Sequence, residues 1–236
     1  MACTSLYEGI EPFIITTPRL IVVPTPIAVS QKSYRSLYAA LHADASFCEM
    51  GFGPHFPPRN WDDEETREVI KTRDINRSWK KYAIGDFAVG LRTPDTSKDN
   101  LPQMSILEGQ EFGRITGSNL ENLSGIEWVG YAGVRDASTT SLPPREPEDP
   151  VLPPWQEMVE IRYGVSPDFW GRGLAREAAE AVMQWSVQKR GVRRFIAETE
   201  RENKRSAGLL QKIGFVRSDT NYWKEPSEIE WEFLVK

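Results

Sequence analysis

Short blocks in which apolar and polar residues alternate recur along the chain, and each predicts a strand with one face toward a core: residues 19–23, 82–89, 127–135, 160–165, 194–200, 215–217 and 228–235. Residues 13–17 have the same β-rich composition, but Pro18 separates the two runs, and the second is expected to hold the first true strand. Between these blocks the period changes. Tyr34, Leu37, Tyr38 and Leu41 fall three and four apart behind Ser30, the expected N-cap of a helix with that face in the core. Asp62 is the expected cap of a charged helix from Asp63 to about Ser78. Leu174, Ala178, Ala181, Val182 and Trp185 form a stripe that should pack on a sheet, closed by Lys189, Arg190 and Gly191. A last helix starts at or near Asn203 and ends at Gly214.

Four stretches have neither period. Residues 1–12 read as a loose leader, and the Gly- and Pro-rich residues 51–58 break all regularity. Residues 92–125 are long and polar and read as an insertion containing a short extra hairpin around 112–117. Residues 136–154 contain Pro143, Pro144, Pro147, Pro150, Pro153 and Pro154, which exclude regular helix and interior strand, and read as a lid or a tether. Strands and helices mix throughout, which defines an α/β chain: a single domain over 13–236 with insertions at about 92–125 and 136–154.

Composition narrows the partners. The 236 residues are 39% hydrophobic with a formal net charge of -5, and the pI is near 5.3. That balance argues against a nucleic-acid or anionic-membrane surface, and suits a cationic amine. Cys3 and Cys48 make no disulfide framework, and two histidines make no metal-ligand cluster, so no metal is expected. Neither a basic segment leading into an apolar run nor a span of roughly 18 apolar residues is present, which points to a cytoplasmic protein.

The chemistry concentrates in residues 160–180. The alternating run ends at Ser166-Pro167, Gly171-Arg172-Gly173 makes a short turn, and a helix-forming sequence opens at Leu174-Ala175. Two glycines one residue apart let backbone N–H groups point, unobstructed by Cβ atoms, from the positive end of a helix. Arg172 between them can add a cationic fork. A Rossmann fingerprint would need glycine where Arg176 stands, and a P-loop would need Gly-Lys-Ser/Thr after the turn. What remains is a shorter anion cradle suited to a pyrophosphate.

These residues resemble the GNAT superfamily of N-acetyltransferases, and within it the branch similar to ribosomal-protein N-terminal acetyltransferases. Trp170-Gly171-Arg172-Gly173-Leu174-Ala175 matches that family's Gln/Arg-x-x-Gly-x-Gly/Ala motif everywhere but at Trp170. A second block, Asn203-Lys204-Arg205-Ser206 continuing to Leu209-Leu210 and Lys212-Ile213-Gly214-Phe215, stands at the family's usual separation, and Thr17-Pro18-Arg19-Leu20 resembles the branch's opening strand. The resemblance is firm over 157–214, fair over 17–135 and absent in the two insertions.

The resemblance implies a mixed, mostly antiparallel sheet flanked by helices, with two central parallel strands that splay apart. It implies acetyl-CoA as co-substrate, held by Gly171, Arg172, Gly173, Leu174 and Ala175, with Val165 pairing the pantetheine and Asn203 and Ser206 touching its arm. It places Glu160 at an acidic position used as base or water-holder; read from the residues alone, Glu160 is equally a solvent-facing or salt-bridged strand carboxylate. Arg162 replaces a common glycine and puts a cation beside the site. Tyr222, several residues late, is the candidate for the tyrosine that protonates the departing thiolate; read from the residues alone it is a surface tyrosine. Two functions follow: an N-acetyltransferase acting on a peptide N-terminus or small-molecule amine as a monomer or homodimer, or a catalytically degenerate acyl-CoA-binding sensor or interaction module.

Overall fold

The computed structural model describes residues 10–53, 55–92 and 103–236. Residues 1–9 of the expected leader and 93–102 of the expected first insertion lie outside the described residues. The strands are β1 (Phe13–Thr16), β2 (Leu20–Pro24), β3 (Asp86–Leu91), β4 (Ser105–Glu108), β5 (Trp128–Asp136), β6 (Val159–Val165), β7 (Arg194–Glu200), β8 (Val216–Arg217) and β9 (Glu228–Leu234). Among the described residues they form one sheet in the order β4-β1-β2-β3-β5-β6-β7-β9-β8. Every neighbouring pair is antiparallel except β6 and β7. Both early runs are strands, because Pro18 falls in the turn, where its missing N–H costs nothing. That turn is closed by Thr17 N–H on Leu20 O at 3.0 Å and Leu20 N–H on Thr17 Oγ1 at 3.0 Å.

The helices are α1 (Thr25–Ala28), α2 (Lys32–Ala43), α3 (Ala45–Phe52), α4 (Asp63–Ile70), α5 (Lys80–Tyr82), α6 (Gly109–Thr116), α7 (Ala137–Thr140), α8 (Leu174–Arg190) and α9 (Lys204–Lys212). Tyr34, Tyr38 and Leu41 are buried on α2 as their spacing requires, but Ser30 is not its cap: its hydroxyl donates to Ile27 O at 2.8 Å, and α2 starts after an extended Gln31. The sequence gives no apolar period over α3, whose residues form a second helix because the Asp44 carboxylate accepts from Phe47 N–H at 2.7 Å and restarts the helix in a new direction. Asp62 caps α4 in a reciprocal capping box with Glu65. Behind α4 the coil widens into a π-helical segment, Lys71–Trp79, which turns Asp74 and Trp79 into the core. A Cβ at Gly85 would stand 2.3 Å from Trp79 Nε1 and 2.6 Å from Asp74 Oδ1, so that close approach requires glycine.

The first irregular stretch is more structured than its composition suggests. Residues 112–116 belong to α6, which Gly117 ends, rather than to a hairpin, β4 extends the sheet beside β1, and Phe112, Leu120 and Leu123 join the main core. The second begins with α7, capped by Asp136, and continues as turns and extended chain to Pro154, with Leu142 and Leu152 packed on Ala137, Met158 and Ile196. The α8 stripe lies on β5 and β6, and Trp185 meets Phe13, Trp79 and Phe87 with ring centroids 5.0–5.7 Å apart.

Candidate active site at the strand splay

The parallel pair β6 and β7 is joined at only two positions, Val159 with Phe195 and Glu160 with Ile196. Beyond them the strands part, and a cleft of about 1330 Å³ opens between them. Opposite Gly130, Val165 sits in a non-bonded pair of the β5 ladder, since the next residue, Ser166, donates to Val129 O at 2.8 Å. The Val165 main-chain groups therefore point into the gap. Its carbonyl is held by Trp170 Nε1 at 2.7 Å, leaving the N–H to face a ligand lying along the strand edge.

After β6 the chain makes the turn to α8. Gly171 (φ +77°) and Gly173 (φ +76°) are left-handed. A Cβ at Gly171 would meet nothing within 4 Å, and one at Gly173 only Arg19 Nη2 at 3.6 Å, so backbone conformation rather than space demands glycine. No side chain caps α8, so the N–H groups of Leu174, Ala175 and Arg176 open on the cleft. A 17-residue helix adds its positive end to them. The turn is clamped from behind: Arg19 donates to Arg172 O at 2.8 Å and pairs with Glu177 at 2.6 Å, and Thr17 Oγ1 also donates to Glu177. Arg172 itself turns back, donating to Asp168 O at 3.1 Å over the Phe169 ring. The cations that line the cleft at this end are Arg176, Lys204 and Arg205, the last 4.7 Å over the Trp170 ring.

On the far wall Asn203 caps α9 by accepting from Ser206 N–H at 3.0 Å, while its amide donates to Met50 O at 2.6 Å and ties α9 to α3. The Ser206 hydroxyl meets Tyr163 Oη at 2.8 Å. Burial pushes the Tyr163 phenol up to about 12, against the Ser206 hydrogen bond, so it stays protonated.

Past the splay the cleft continues between the sheet and α2 and α3. One side is aromatic, with Tyr38, His42, Phe47, Phe52 and Tyr131. His42 stacks on Tyr38 at 4.3 Å, and burial lowers its pKa to about 4, so it is neutral in ordinary buffers. Arg162 pairs with Asp86 at 2.8 Å and lies over Tyr131. Asp86 N–H donates to Asp74 at 2.9 Å, and burial together with the neighbouring Asp86 charge holds the Asp74 carboxyl well above its ordinary range.

The other side is acidic. Glu160, 6% exposed, accepts from Arg135 at 2.7 and 2.9 Å and from the Ser141 hydroxyl. Burial alone would raise its pKa, but Arg135 and Ser141 together hold it below the ordinary value. Of its two sequence readings, the geometry displays the salt-bridged carboxylate. On the same sheet face, two residues along β7, Glu198 has a buried, unpartnered Oε2. Burial first, then the charges of Glu160 and Glu228, lift it to about 9. Glu228 also has an unpartnered buried Oε2 and is lifted to about 7, by burial and then by Glu200, Glu225 and Glu230.

The structure thus brings Glu160, Val165, Gly171, Gly173, Leu174, Ala175, Asn203 and Ser206 to one cleft. It does not bring Tyr222 there. That side chain packs beside Met158 and Ile196, with its hydroxyl accepting from Arg194 at 3.2 Å; the tyrosine facing the splay is Tyr163. Sequence reasoning missed Tyr163, Trp170 as a backbone clamp, and Glu198. The alternation of β7 puts Glu198 on the face of Ile196, the partner of Glu160, and was the available signal.

A sheet whose one parallel pair opens into a cleft, floored by an uncapped helix start, is the architecture of an acyl-CoA-binding α/β transferase. The chain belongs to the GNAT acetyltransferase family: the model of the acetyltransferase (GNAT) domain matches residues 28–216. Among curated proteins it is 27% identical over 97 residues to the FsC-acetyl coenzyme A-N(2)-transacetylase of Aspergillus fumigatus, an alignment spanning 41% of each chain. Among solved structures it resembles an acetyltransferase from Agrobacterium tumefaciens str. C58 at TM-score 0.56, with 18% identity and 93% of each chain covered. It is equally close, at TM-score 0.56 and 13% identity over 94% of this chain and 98% of that one, to the RimL ribosomal L7/L12 alpha-N-protein acetyltransferase in complex with coenzyme A. The fold expected from the sequence is the fold observed.

Proposed function

We propose that the protein transfers acetyl from acetyl-CoA to the primary amine of a small molecule or peptide N-terminus, by direct attack of the amine on the thioester. The observation that carries this reading is the continuity of the cleft: an uncapped helix start and an acid-lined chamber open on the same unpaired edge of β6. The residues fit the co-substrate. Free first-turn N–H groups and Arg176, Lys204 and Arg205 suit a diphosphate, the Val165 N–H suits a pantetheine amide, and Tyr163 keeps a proton to offer a departing thiolate. An acidic chamber suits an amine that arrives as a cation, and the name of the Aspergillus relative describes acetyl transfer to nitrogen.

Direct transfer needs only that the amine be held neutral beside the carbonyl, so binding and alignment supply most of the acceleration. The test is the dissociation constant of acetyl-CoA together with thiol release across a panel of primary amines. Gly173→Asp is expected to abolish acetyl-CoA binding while the protein still folds, because a carboxylate then stands where the diphosphate belongs. Normal binding by that variant removes the turn assignment. Tight acetyl-CoA binding by the wild type, without thiol release for any amine, leaves the acyl-CoA sensor as the function.

A further inference from the structure

Two glutamates line the cleft from one face of the sheet where β6 and β7 part, and their surroundings differ. Both Glu160 oxygens are engaged, by the Arg135 fork and the Ser141 hydroxyl. Glu198 Oε2, on β7 just beyond the last parallel pair, lines the same cleft with no partner, although it is shielded from water. The charged groups that face it are Glu160 on β6, Arg135 on β5, and Glu228 and Glu230 on β9. Arg135, the cation of that group, is bound to Glu160. Four carboxylates thus share one cation, itself engaged, on the face where β6 and β7 part, and the group is short of positive charge.

We propose that Glu198 is the proton acceptor of the transfer reaction, holding the acceptor ammonium with Glu228 beside it, and that Glu160 positions Arg135. This rests on the N-acetyltransferase reading above. Glu198 is an acid when the chamber is empty, because burial and three neighbouring carboxylates oppose its charge. An entering ammonium supplies the missing cation, and one proton leaves to solvent as the ion pair forms. Loss of a further proton leaves the amine neutral beside the carboxylate. The amine nitrogen then forms a bond to the thioester carbonyl carbon and passes its proton to Glu198 Oε2. The C–S bond breaks with its electron pair on sulfur, the thiolate takes a proton from Tyr163, which regains one from solvent, and Glu198 keeps the proton it accepted, which restores the empty-chamber state. Glu160, lower in pKa and saturated with donors, is the weaker base of the two.

The experiment compares wild type, Glu198→Gln and Glu160→Gln on the full chain, with the best amine of the panel as probe. Expected for Glu198→Gln is an unchanged acetyl-CoA dissociation constant, kcat/KM for the amine down about 10²- to 10⁴-fold at pH 7, and a deficit that narrows as pH rises and the free amine becomes neutral. Calorimetry in buffers of different ionisation enthalpy should show about one more proton released per amine bound at pH 7 by wild type than by Glu198→Gln, whose remaining release comes from Glu228. Glu160→Gln should lose stability and, because it removes a charge that lifts Glu198 and frees Arg135, move the pH profile to lower pH without the loss of about 10²- to 10⁴-fold. Full activity in Glu198→Gln, or transfer of the pH signature to Glu160→Gln, overturns the assignment and leaves the N-acetyltransferase reading standing. Failure of the wild type with every amine overturns both.

Discussion

At the residue scale, the site is a set of carboxylates separated in pKa by what each one touches. Glu160 and Glu198 have opposite linkage to pH. Glu160 has its folded pKa depressed, so the stability it contributes is present above the unfolded value of about 4.5 and is lost as pH falls through the lower folded value. Glu160→Gln leaves Arg135 without its partner and should cost roughly 2–4 kcal/mol at pH 7, with the gap to wild type closing below pH 4 in thermal melts. A constant gap at all pH values would mean that packing, not charge, holds the pair. Glu198 has its folded pKa raised to about 9, so the unfolded chain ionises first, and wild type loses stability as pH climbs from about 4.5 toward 9. Glu198→Gln removes that slope. Its melting temperature should match wild type near pH 5 and exceed it by several degrees at pH 9, the pattern of a functional group kept at a cost in stability. Trp170 stands where the family has Gln or Arg, yet its indole holds Val165 O and its ring carries Arg205. Trp170→Phe keeps the ring and deletes the donor, and should weaken acetyl-CoA several-fold without changing the amine KM; equal loss of both would place Trp170 in the acceptor site instead.

At the element scale, the strength of the sequence signal followed how local each element's causes were. Helix α8 was legible from its apolar stripe and glycine stop, and α4 from the Asp62 box, because capping and periodicity are properties of adjacent residues. Helix α3 was hidden because its apolar residues pack only once α2 has turned them toward Tyr131. Strand β4 and helix α6 were hidden for the same reason: their partners are β1, some ninety residues earlier, and the main core. That difference separates the two irregular stretches. Replacing residues 105–125 by a short linker exposes an edge of β1 and removes Phe112, Leu120 and Leu123 from the core, so it should lower the melting temperature by 10 °C or more, or prevent folding. Shortening 143–151 removes turns and extended chain carrying the exposed Val151, and should leave the melting temperature within a few degrees. We expect the second deletion, with acetyl-CoA affinity held, to raise the amine KM or broaden amine choice, since the segment runs between Ser141 and β6. Unchanged kinetics would reduce it to a tolerated loop.

At the scale of the whole molecule, the sheet supplies a rigid frame and one planned gap. Among the described residues, hydrogen bonds close every strand pair but the far end of β6 and β7, and the uncapped start of α8 is fixed at that gap by a clamp from far along the chain, Thr17 and Arg19 on Glu177. The sequence by itself determined the α/β class, the strand–turn–helix cradle with its two left-handed glycines, the Asn203 cap and the family, because each is written in residues close together in the chain, where spacing and backbone conformation are the whole cause. Only the tertiary structure decided which carboxylate is free. Glu160 and Glu198 are both strand glutamates in alternating runs, and no local pattern distinguishes them. Arg135 and Ser141 reach one and not the other, and whether a buried charge is compensated depends on groups that the fold brings together from far along the chain.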